Sequence, residues 1–406
     1  WSSDVCSSDL PASSGSDVAG PLAGVRIVEL PNIGPVQFAG MLLADLGAEV
    51  LRIDRAEHAR TGRAVSGAPA SAVSVVDRGR RSVAVDLKHP DGPGVVLDLC
   101  ERADVLLEGF RPGVAERLGV GPDTCRARNP GLVYARMTGW GQDGPLAGDV
   151  GHDINYLSVA GALFHLGPRD HAPHPPINLL ADFGGGGSLV VIGILAALVE
   201  RARSGEGQVI DAAMVDGSAQ LMSIFWGIDA IGGWGPRGTN LLDGGSHFYN
   251  VYATADGGYV SLAAYEPQFY AAFCALVAPL GIELDPADQM NASRWPEHTE
   301  RLAELFLTRT RDDWVAFFTG HEGCFAPVLP MSEARTHPHN LARGAFTEID
   351  GIAQPVPAPR FSRTTTSVRS APVAAGADTE TALTDWGLDA TTVERLLASG
   401  AISGPA

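Results

Sequence analysis

Two glycine-rich segments of this chain each carry a residue that can transfer protons. Asp182 precedes four consecutive glycines in "LLADFGGGGS", and His152 lies in the glycine-bounded segment "GHDINY". Carboxylate and imidazole groups both act as general acids and bases. Glycines let a ligand approach the backbone, and free N–H groups at a helix start stabilise developing negative charge. The glycine run after Asp182 is therefore typical of a site that forms an enolate or transfers an acyl group.

Each of these residues also has an ordinary structural interpretation. An aspartate before a helix start is most often an N-cap, and a lone histidine can be a hydrogen-bonded structural residue. A third acid, Glu266 in "AAYEPQFY", comes before a predicted helix, where the helix dipole favours a negative charge. Side chains of adjacent residues in an extended segment point apart, so His152 and Asp153 are poor partners for one metal ion. No metal site is expected.

Arginines lie near the ends of several predicted strands. They are Arg55, Arg80, Arg81, Arg111 and Arg117. Ligands of open α/β sheets bind outside the carboxyl ends of the strands, so several of these arginines could converge on one polyphosphate, although any one alone is typical of an ordinary surface. Nicotinamide dinucleotide binding is disfavoured: Asp54 ends the second strand where a ribose contact would be expected, but "PNIGPVQFAG" lacks the G-x-G-x-x-G fingerprint.

The elements that must position these residues alternate regularly. "VRIVEL" predicts a strand, "VQFAGMLLADLG" a helix and "AEVLRID" a second strand, and strands and helices keep alternating to about residue 140. This pattern predicts an open α/β sheet in the first half of the chain. Two strands turned at "ADGG" and the helix "PQFYAAFCALVAPLGI" predict a smaller α+β domain in the second half.

Composition narrows the function classes. The 406 residues carry 29 Lys and Arg against 47 Asp and Glu, a formal net charge of −18. This acidity opposes binding to nucleic acid or to an anionic membrane, so any anionic ligand must be held by local cations. The five cysteines show no C-x-x-C spacing, which indicates neither a zinc site nor a disulfide framework but a reducing compartment. With no secretion signal or membrane span predicted, a cytoplasmic location is expected.

From Gly20 to about Arg363 the chain resembles family III CoA-transferases, and within them the α-methylacyl-CoA racemase branch. The segments that carry the resemblance include "GPVQFAGMLLADLGAEVLRIDR", "EGFRPGVAERLG", "GHDINYLSVAG" and "LLADFGGGG", in the same order. The resemblance implies an α/β fold with a large Rossmann-like domain and a smaller α+β domain in an interlocked homodimer. We therefore expect an extraneous or disordered tail at 1–20, a large CoA-binding domain at 21–215, a linker at 216–250, a small domain at 251–340, and a return segment at 341–406 that ends in a helix.

The resemblance also implies roles for particular residues. His152 and Asp182 would be the acid/base pair that flanks the substrate α-carbon, and Glu266 would orient His152 from the partner chain. The backbone at Asp153 would donate to the thioester enolate oxygen. Residues that would contact CoA are Arg55, Gly109, Arg111 and Arg117. Residues 56–79 match the family weakly, so no adenine contacts are assigned there.

The expected activity is the interconversion of (R)- and (S)-2-methylacyl-CoA thioesters by proton transfer through an enolate, without metal or cofactor, because CoA is part of the substrate. The alternative is a family III CoA-transferase, in which the matching aspartate is a nucleophile that carries CoA between carboxylic acids. His152 favours the racemase, since the transferases usually carry tyrosine in that segment. A non-catalytic CoA-binding protein is a third possibility, and the presence of all three candidate residues argues against it.

Overall fold

The computed structural model describes residues 20–61 and 74–405. The predicted tail, apart from Gly20, lies outside the described residues. The strands are β1 (Arg26–Glu29), β2 (Glu49–Arg55), β3 (Arg81–Val85), β4 (Val105–Glu108), β5 (Val133–Thr138), β6 (Val209–Ala213), β7 (Tyr249–Ala253), β8 (Tyr259–Ala263), β9 (Phe325–Val328), β10 (Phe346–Ile349), β11 (Ile352–Pro355) and β12 (Ile402–Ser403).

Helices connect and cover these strands. The α-helices are α1 (Pro35–Asp45), α2 (Ala56–Thr61), α3 (Gly92–Cys100), α4 (Val114–Arg117), α5 (Pro122–Arg128), α6 (Asp153–Val159), α7 (Leu189–Ser204), α8 (Met214–Leu221), α9 (Ser223–Ala230), α10 (Pro267–Val277), α11 (Trp295–Phe306), α12 (Arg311–Phe318), α13 (Met331–Ala334), α14 (Pro338–Ala342), α15 (Thr379–Asp385) and α16 (Ala390–Ser399). A π-helix, Leu179–Ser188, runs directly into α7.

Seven strands form the central sheet in the order β12-β3-β2-β1-β4-β5-β6. All neighbours are parallel except β12, which joins β3 antiparallel. The predicted open α/β sheet is thus confirmed, and its six parallel strands have the order of a doubly wound Rossmann sheet.

Both faces of this sheet are covered, as parallel sheets require. Successive residues of β1 enter different cores: Val28 packs in the core that includes α3 and the C-terminal helices, and Ile27 in the core that includes α1 and α7. Trp386, from the C-terminal segment, is fully buried in the first of these cores, and its indole N–H donates to Glu49. The end of the chain is therefore part of the large domain.

The small domain contains the antiparallel sheet β7-β8-β9. The hairpin predicted at "ADGG" forms β7 and β8, and the sequence pattern did not predict β9. The core of the small domain is largely aromatic and includes Phe248, Tyr270, Phe273 and Trp314, all of them fully buried.

The segment that carries Asp182 departs from the expected geometry. The sequence suggests a helix that begins with the glycine run, whereas the helix begins at Leu179 as a π-helix that contains Asp182 and all four glycines. Asp182 is therefore not an N-cap, and the glycine N–H groups do not form a helix start. Single-turn π-bulges in helices occur frequently at functional sites.

The glycines of this helix let neighbouring helices approach its backbone. A Cβ on Gly185 would lie 2.8 Å from the backbone nitrogen of Ser218 in α8, and one on Gly187 would lie 2.7 Å from a ring carbon of Phe38 in α1. Gly217 of α8 faces Gly185 in the same way, since its Cβ would overlap the Gly185 carbonyl. The glycine run is thus a packing requirement that brings three helices together around Asp182.

The π-helix and α7 form one apolar helix, Leu179–Ser204, which is long and apolar enough to cross a membrane by length and composition alone. In the fold its glycines pack against α1 and α8, and Val190, Val191 and Ile194 lie in the sheet core. The helix is therefore part of the α/β architecture.

Because α8 lies so close to the π-helix, we expect that adding one methyl group between them has a large effect on stability. Gly217→Ala should lower the free energy of unfolding by ~1–3 kcal/mol, because the added Cβ overlaps backbone that cannot move aside. Gly94→Ala in α3 is the matched control: nothing lies within 4 Å of its Cβ, so a gain of about 0.5–1 kcal/mol is expected. Denaturant unfolding of both variants measures the difference, and equal stabilities would contradict the packing argument.

Candidate active site

The strand order reverses between β1 and β4, where a crevice opens at the carboxyl ends of doubly wound sheets. A cavity of about 640 Å³ lies there. It is lined by residues that end β2 or follow β1, β2 and β4, among them Asn32, Asp54, Arg55, His58, Gly109, Phe110, Arg111 and Arg117. All four residues expected to contact CoA therefore line one cavity.

The three arginines of this cavity have no acidic partner in the part of the chain that the structure describes. Arg55, Arg111 and Arg117 are exposed, and none forms a salt bridge with any residue of the described ranges. Asp54, by contrast, is buried and bound to Arg52 and to the Ser82 hydroxyl. In a chain of net charge −18, three unpaired cations at one crevice favour an anionic ligand.

A neighbouring cavity of about 710 Å³ extends the cationic crevice beyond the expected residues. It shares Arg55 and Phe110 with the first cavity and adds Arg60 and Lys88. Lys88 is the only lysine of the sequence. Its position three residues after β3 is the signal that could have identified it, because Arg55 ends β2 at the same edge of the sheet.

Two other arginines named from the sequence lie elsewhere. Arg80 is fully buried and bound to Glu29 and Asp77, and Arg81 pairs with Asp385. Both precede or begin β3, so they lie toward its amino end and do not line the crevice. They are structural ion pairs in this fold.

The acid/base candidates line a third cavity, of about 390 Å³. His152, Tyr156 and Asp182 lie on its wall, and it shares Gly109 and Arg111 with the cationic cavity. The structure thus brings His152 and Asp182 to one space that adjoins the cationic crevice.

Asp153 fixes the helix that carries Asp182. Its buried carboxylate Oδ2 accepts hydrogen bonds from the backbone N–H groups of Ala181 at 2.8 Å and Asp182 at 2.9 Å. N–H groups in the first turn of a helix have no partner within the helix, and the Asp153 carboxylate supplies one for these two. His152, the N-cap of α6, is exposed, so the two neighbouring side chains point apart as expected.

The surroundings of Asp182 favour its protonated form. Burial raises the pKa of Asp182, and the nearby Asp153 carboxylate adds to this, while a hydrogen bond from the Asn178 amide at 3.3 Å and the charge of His152 oppose it. Asn178, four residues before Asp182, was not identified from the sequence. Burial and the charge of Asp182 also raise the pKa of Tyr156, to about 12. The Tyr156 hydroxyl donates to the carbonyl of Gly151, next to His152.

Glu266 lies apart from these residues. It is the exposed N-cap of α10 in the small domain, and no residue of the small domain is among those that line the cavity of His152 and Asp182. A role for Glu266 in orienting His152 stays a prediction that requires a second chain. Within residues 20–61 and 74–405, no three His, Cys, Asp or Glu side chains lie close enough to hold a metal ion.

The chain belongs to CoA-transferase family III, whose family model matches residues 22–379. It is 46% identical to the alpha-methylacyl-CoA racemase of Mus musculus over 346 residues, which cover 84% of this chain and 87% of the relative. The racemase of the same name from Homo sapiens is 44% identical over 348 residues, with the same coverage. Among solved structures, a CAIB/BAIF family protein from Brucella suis matches with a TM-score of 0.75 and 26% identity, covering 91% of this chain and all of that one.

The hydrogen bonds of Asp153 predict that its side chain acts through Asp182. Asp153→Ala keeps the backbone N–H of residue 153. It removes the negative charge beside Asp182 and the carboxylate that accepts from the backbone N–H groups of Ala181 and Asp182. The pKa of Asp182 should fall, because the Asp153 charge that helps to raise it is lost. For a reaction in which Asp182 acts as the base, the lower limb of the pH–rate profile should therefore move to lower pH. Turnover should fall by about tenfold, because a catalytic carboxylate that is displaced loses rate steeply.

The control is Asp123→Ala, the same substitution at an exposed acid of α5. Should Asp153→Ala leave both the rate and the lower limb unchanged, Asp153 would not position Asp182.

Proposed function

We propose that this protein is a 2-methylacyl-CoA racemase that interconverts (R) and (S) thioesters by proton transfer at the α-carbon. The observation that carries this proposal is the meeting of His152 and Asp182 at one cavity that adjoins a crevice of unpaired arginines. The similarity to racemases over most of the chain supports it.

In the proposed reaction, His152 and Asp182 lie on opposite sides of the substrate α-carbon. One removes the α-proton as a base, and the other donates a proton to the opposite face as an acid. The reverse direction exchanges the two roles. Each positioned acid or base contributes roughly 10²–10⁴-fold to the rate.

The raised pKa of Asp182 suits both of its roles. A carboxyl with an ordinary pKa is almost fully ionised near neutrality and is a weak base, whereas one with a raised pKa is a stronger base and is protonated more often. Burial supplies most of this effect, and Asp153 adds to it. One environment therefore prepares the same side chain for both directions.

The enolate oxygen requires hydrogen-bond donors. The backbone N–H of Asp153 is at the first residue of α6 and makes no hydrogen bond with any described residue. We assign this N–H to the thioester oxygen, where a preorganised donor is worth ~2.7–4 kcal/mol in the transition state.

The CoA portion accounts for the cationic crevice. Arg55, Arg111 and Arg117 would bind its phosphates at the switch point of the sheet, and Gly109 would contact the ligand through its backbone. A Cβ at Gly109 would lie 2.7 Å from the Val36 side chain. The neighbouring cavity with Arg60 and Lys88 would extend the contact with the nucleotide. The proposal requires no metal, flavin or nicotinamide, because the reaction exchanges only a proton.

A CoA-transferase would use Asp182 as a nucleophile instead. Such an enzyme needs no second base on the opposite side of the substrate, and His152 at the same cavity has no role in that chemistry. The geometry therefore favours the racemase.

We also propose that the active form is a homodimer. Apolar side chains are exposed on the helices near the site, including Ile192, Val199, Ile224 and Trp226. Patches of this kind mark interfaces. A partner subunit that covers them would also bring its small domain, with Glu266, to His152.

We also propose that the protein is cytoplasmic. The four described cysteines are free, which fits a reducing compartment.

Racemisation predicts the loss of a proton from the substrate in the absence of any acceptor acid. With one enantiomer of a 2-methylacyl-CoA in D₂O, proton NMR should record disappearance of the α-proton signal together with formation of the other epimer. His152→Ala and Asp182→Ala should each reduce this exchange by at least ~10²-fold and leave CoA binding intact.

Transfer of CoA to an added carboxylic acid, without exchange of the α-proton, would show that Asp182 is a nucleophile. Retained exchange in either variant would remove that residue from its proposed role.

The proposed dimer predicts complementation between two inactive variants. If Glu266 acts on His152 of the other subunit, a mixed dimer of His152→Ala and Glu266→Ala chains contains one site with both residues intact. Co-expression should therefore restore up to half the activity per mixed dimer. Sites formed within a single chain would give no recovery. Activity of the Glu266→Ala chain by itself would show that the site does not use Glu266.

A further inference from the structure

The loop between β4 and α4 carries both Gly109 and Arg111 and lines the cationic and the catalytic cavities. Glu108, the last residue of β4, fixes this loop although it lines neither cavity. Its side chain is fully buried, and its two oxygens have different partners. Oε2 accepts the backbone N–H of Phe110 at 2.5 Å, and Oε1 accepts from Nε of Arg136 at 2.9 Å.

Arg136 extends this connection to a second part of the crevice. It lies opposite Glu108 on β5, with 6% of its surface exposed. Its Nη1 is 2.8 Å from Oε1 of Glu116, in α4. Arg117, which lines the cationic cavity, follows Glu116 directly. A row of three ionisable side chains thus joins the loop of Arg111 to the helix of Arg117.

We propose that Glu108 and Arg136 are positioning residues for the nucleotide end of CoA, which hold Arg111 and Arg117 at the separation that its phosphates require. The inference rests on the proposed function, since it takes acyl-CoA as the ligand. Neither side chain touches the ligand. Both act through Arg111 and Arg117, which contact the ligand.

Stability alone does not account for a buried arginine and glutamate in this place. A buried ion pair is often no more stabilising than well-packed apolar residues of the same volume, because both charges lose their hydration. What the pair supplies here is direction: Glu108 orients a backbone N–H of the loop, and the planar guanidinium of Arg136 spans two carboxylates.

The test compares two thioesters of the same 2-methylacyl group, one on CoA and one on N-acetylcysteamine, which lacks the nucleotide. The variants are Glu108→Gln, whose amide keeps only one acceptor oxygen, and Glu116→Gln, which weakens the outer end of the row from a partly exposed position. The matched control is Glu101→Gln, which alters an exposed ion pair with Arg128. The CoA dissociation constant is measured by calorimetry.

In both variants kcat/KM for the CoA thioester should fall by about tenfold, and the CoA dissociation constant should rise by a similar factor, since displaced charged groups lose much of their binding contribution. Turnover of the N-acetylcysteamine thioester and the melting temperature of Glu116→Gln should stay at the wild-type values. Glu101→Gln should match wild type throughout.

A parallel fall with both thioesters, in step with the melting temperature, would overturn the inference, because that is the result of a merely structural pair. Unchanged CoA binding in both variants would overturn it as well. If Glu108→Gln does not fold, Glu116→Gln decides. A wild-type protein that binds CoA but racemises neither thioester would refute the proposed function, and the dissociation constants of the variants would still test the inference.

Discussion

The reversal of strand order between β1 and β4 is the constraint on which the site depends. Parallel strands end at one edge of the sheet, and connections that leave β1 and β4 in opposite directions open a crevice between them. Arg55 ends β2 and Arg111 follows β4, so both line the same cavity at the carboxyl ends of the strands. The catalytic cavity shares Arg111 with that crevice. One topological feature therefore sets both the cationic crevice and its position beside the proposed acid/base pair.

A second constraint is the close packing of helices around Asp182. Gly185 and Gly217 let the π-helix and α8 meet at their backbones, and Asp153 binds the first N–H groups of that helix. Rigid helix packing holds a catalytic group more accurately than a loop does, because its neighbours leave no room for another rotamer. The proposed role of Asp182, as acid in one direction and as base in the other, would gain most from such a fixed position.

Much of this arrangement was predictable from the sequence. The alternation of strands and helices predicted the sheet, and glycine-rich segments pointed to His152 and Asp182, which line one cavity. The failures have physical causes. Arg80 and Arg81 belong to the amino end of β3, and a pattern of strand ends does not say which end faces the ligand. The glycine run looked like a helix start, because glycine permits both loops and close helix packing. The carboxylate contacts of Asp153 connect parts of the chain that only the folded backbone brings together.

Charge explains how an acidic protein can bind a ligand with several phosphates. A net charge of −18 repels anions at long range, but screening confines that repulsion to about 8–10 Å at physiological salt. Within the crevice, the field is that of the nearest groups, and Arg55, Arg111 and Arg117 lack acidic partners among the described residues. Elsewhere in the fold, acidic side chains are neutralised by ion pairs: Glu29 and Asp45 are each paired with a buried arginine. Among the described residues, these unpaired arginines make the crevice beside His152 and Asp182 a local exception to the acidity of the chain, and this contrast favours the proposed binding of an anion there.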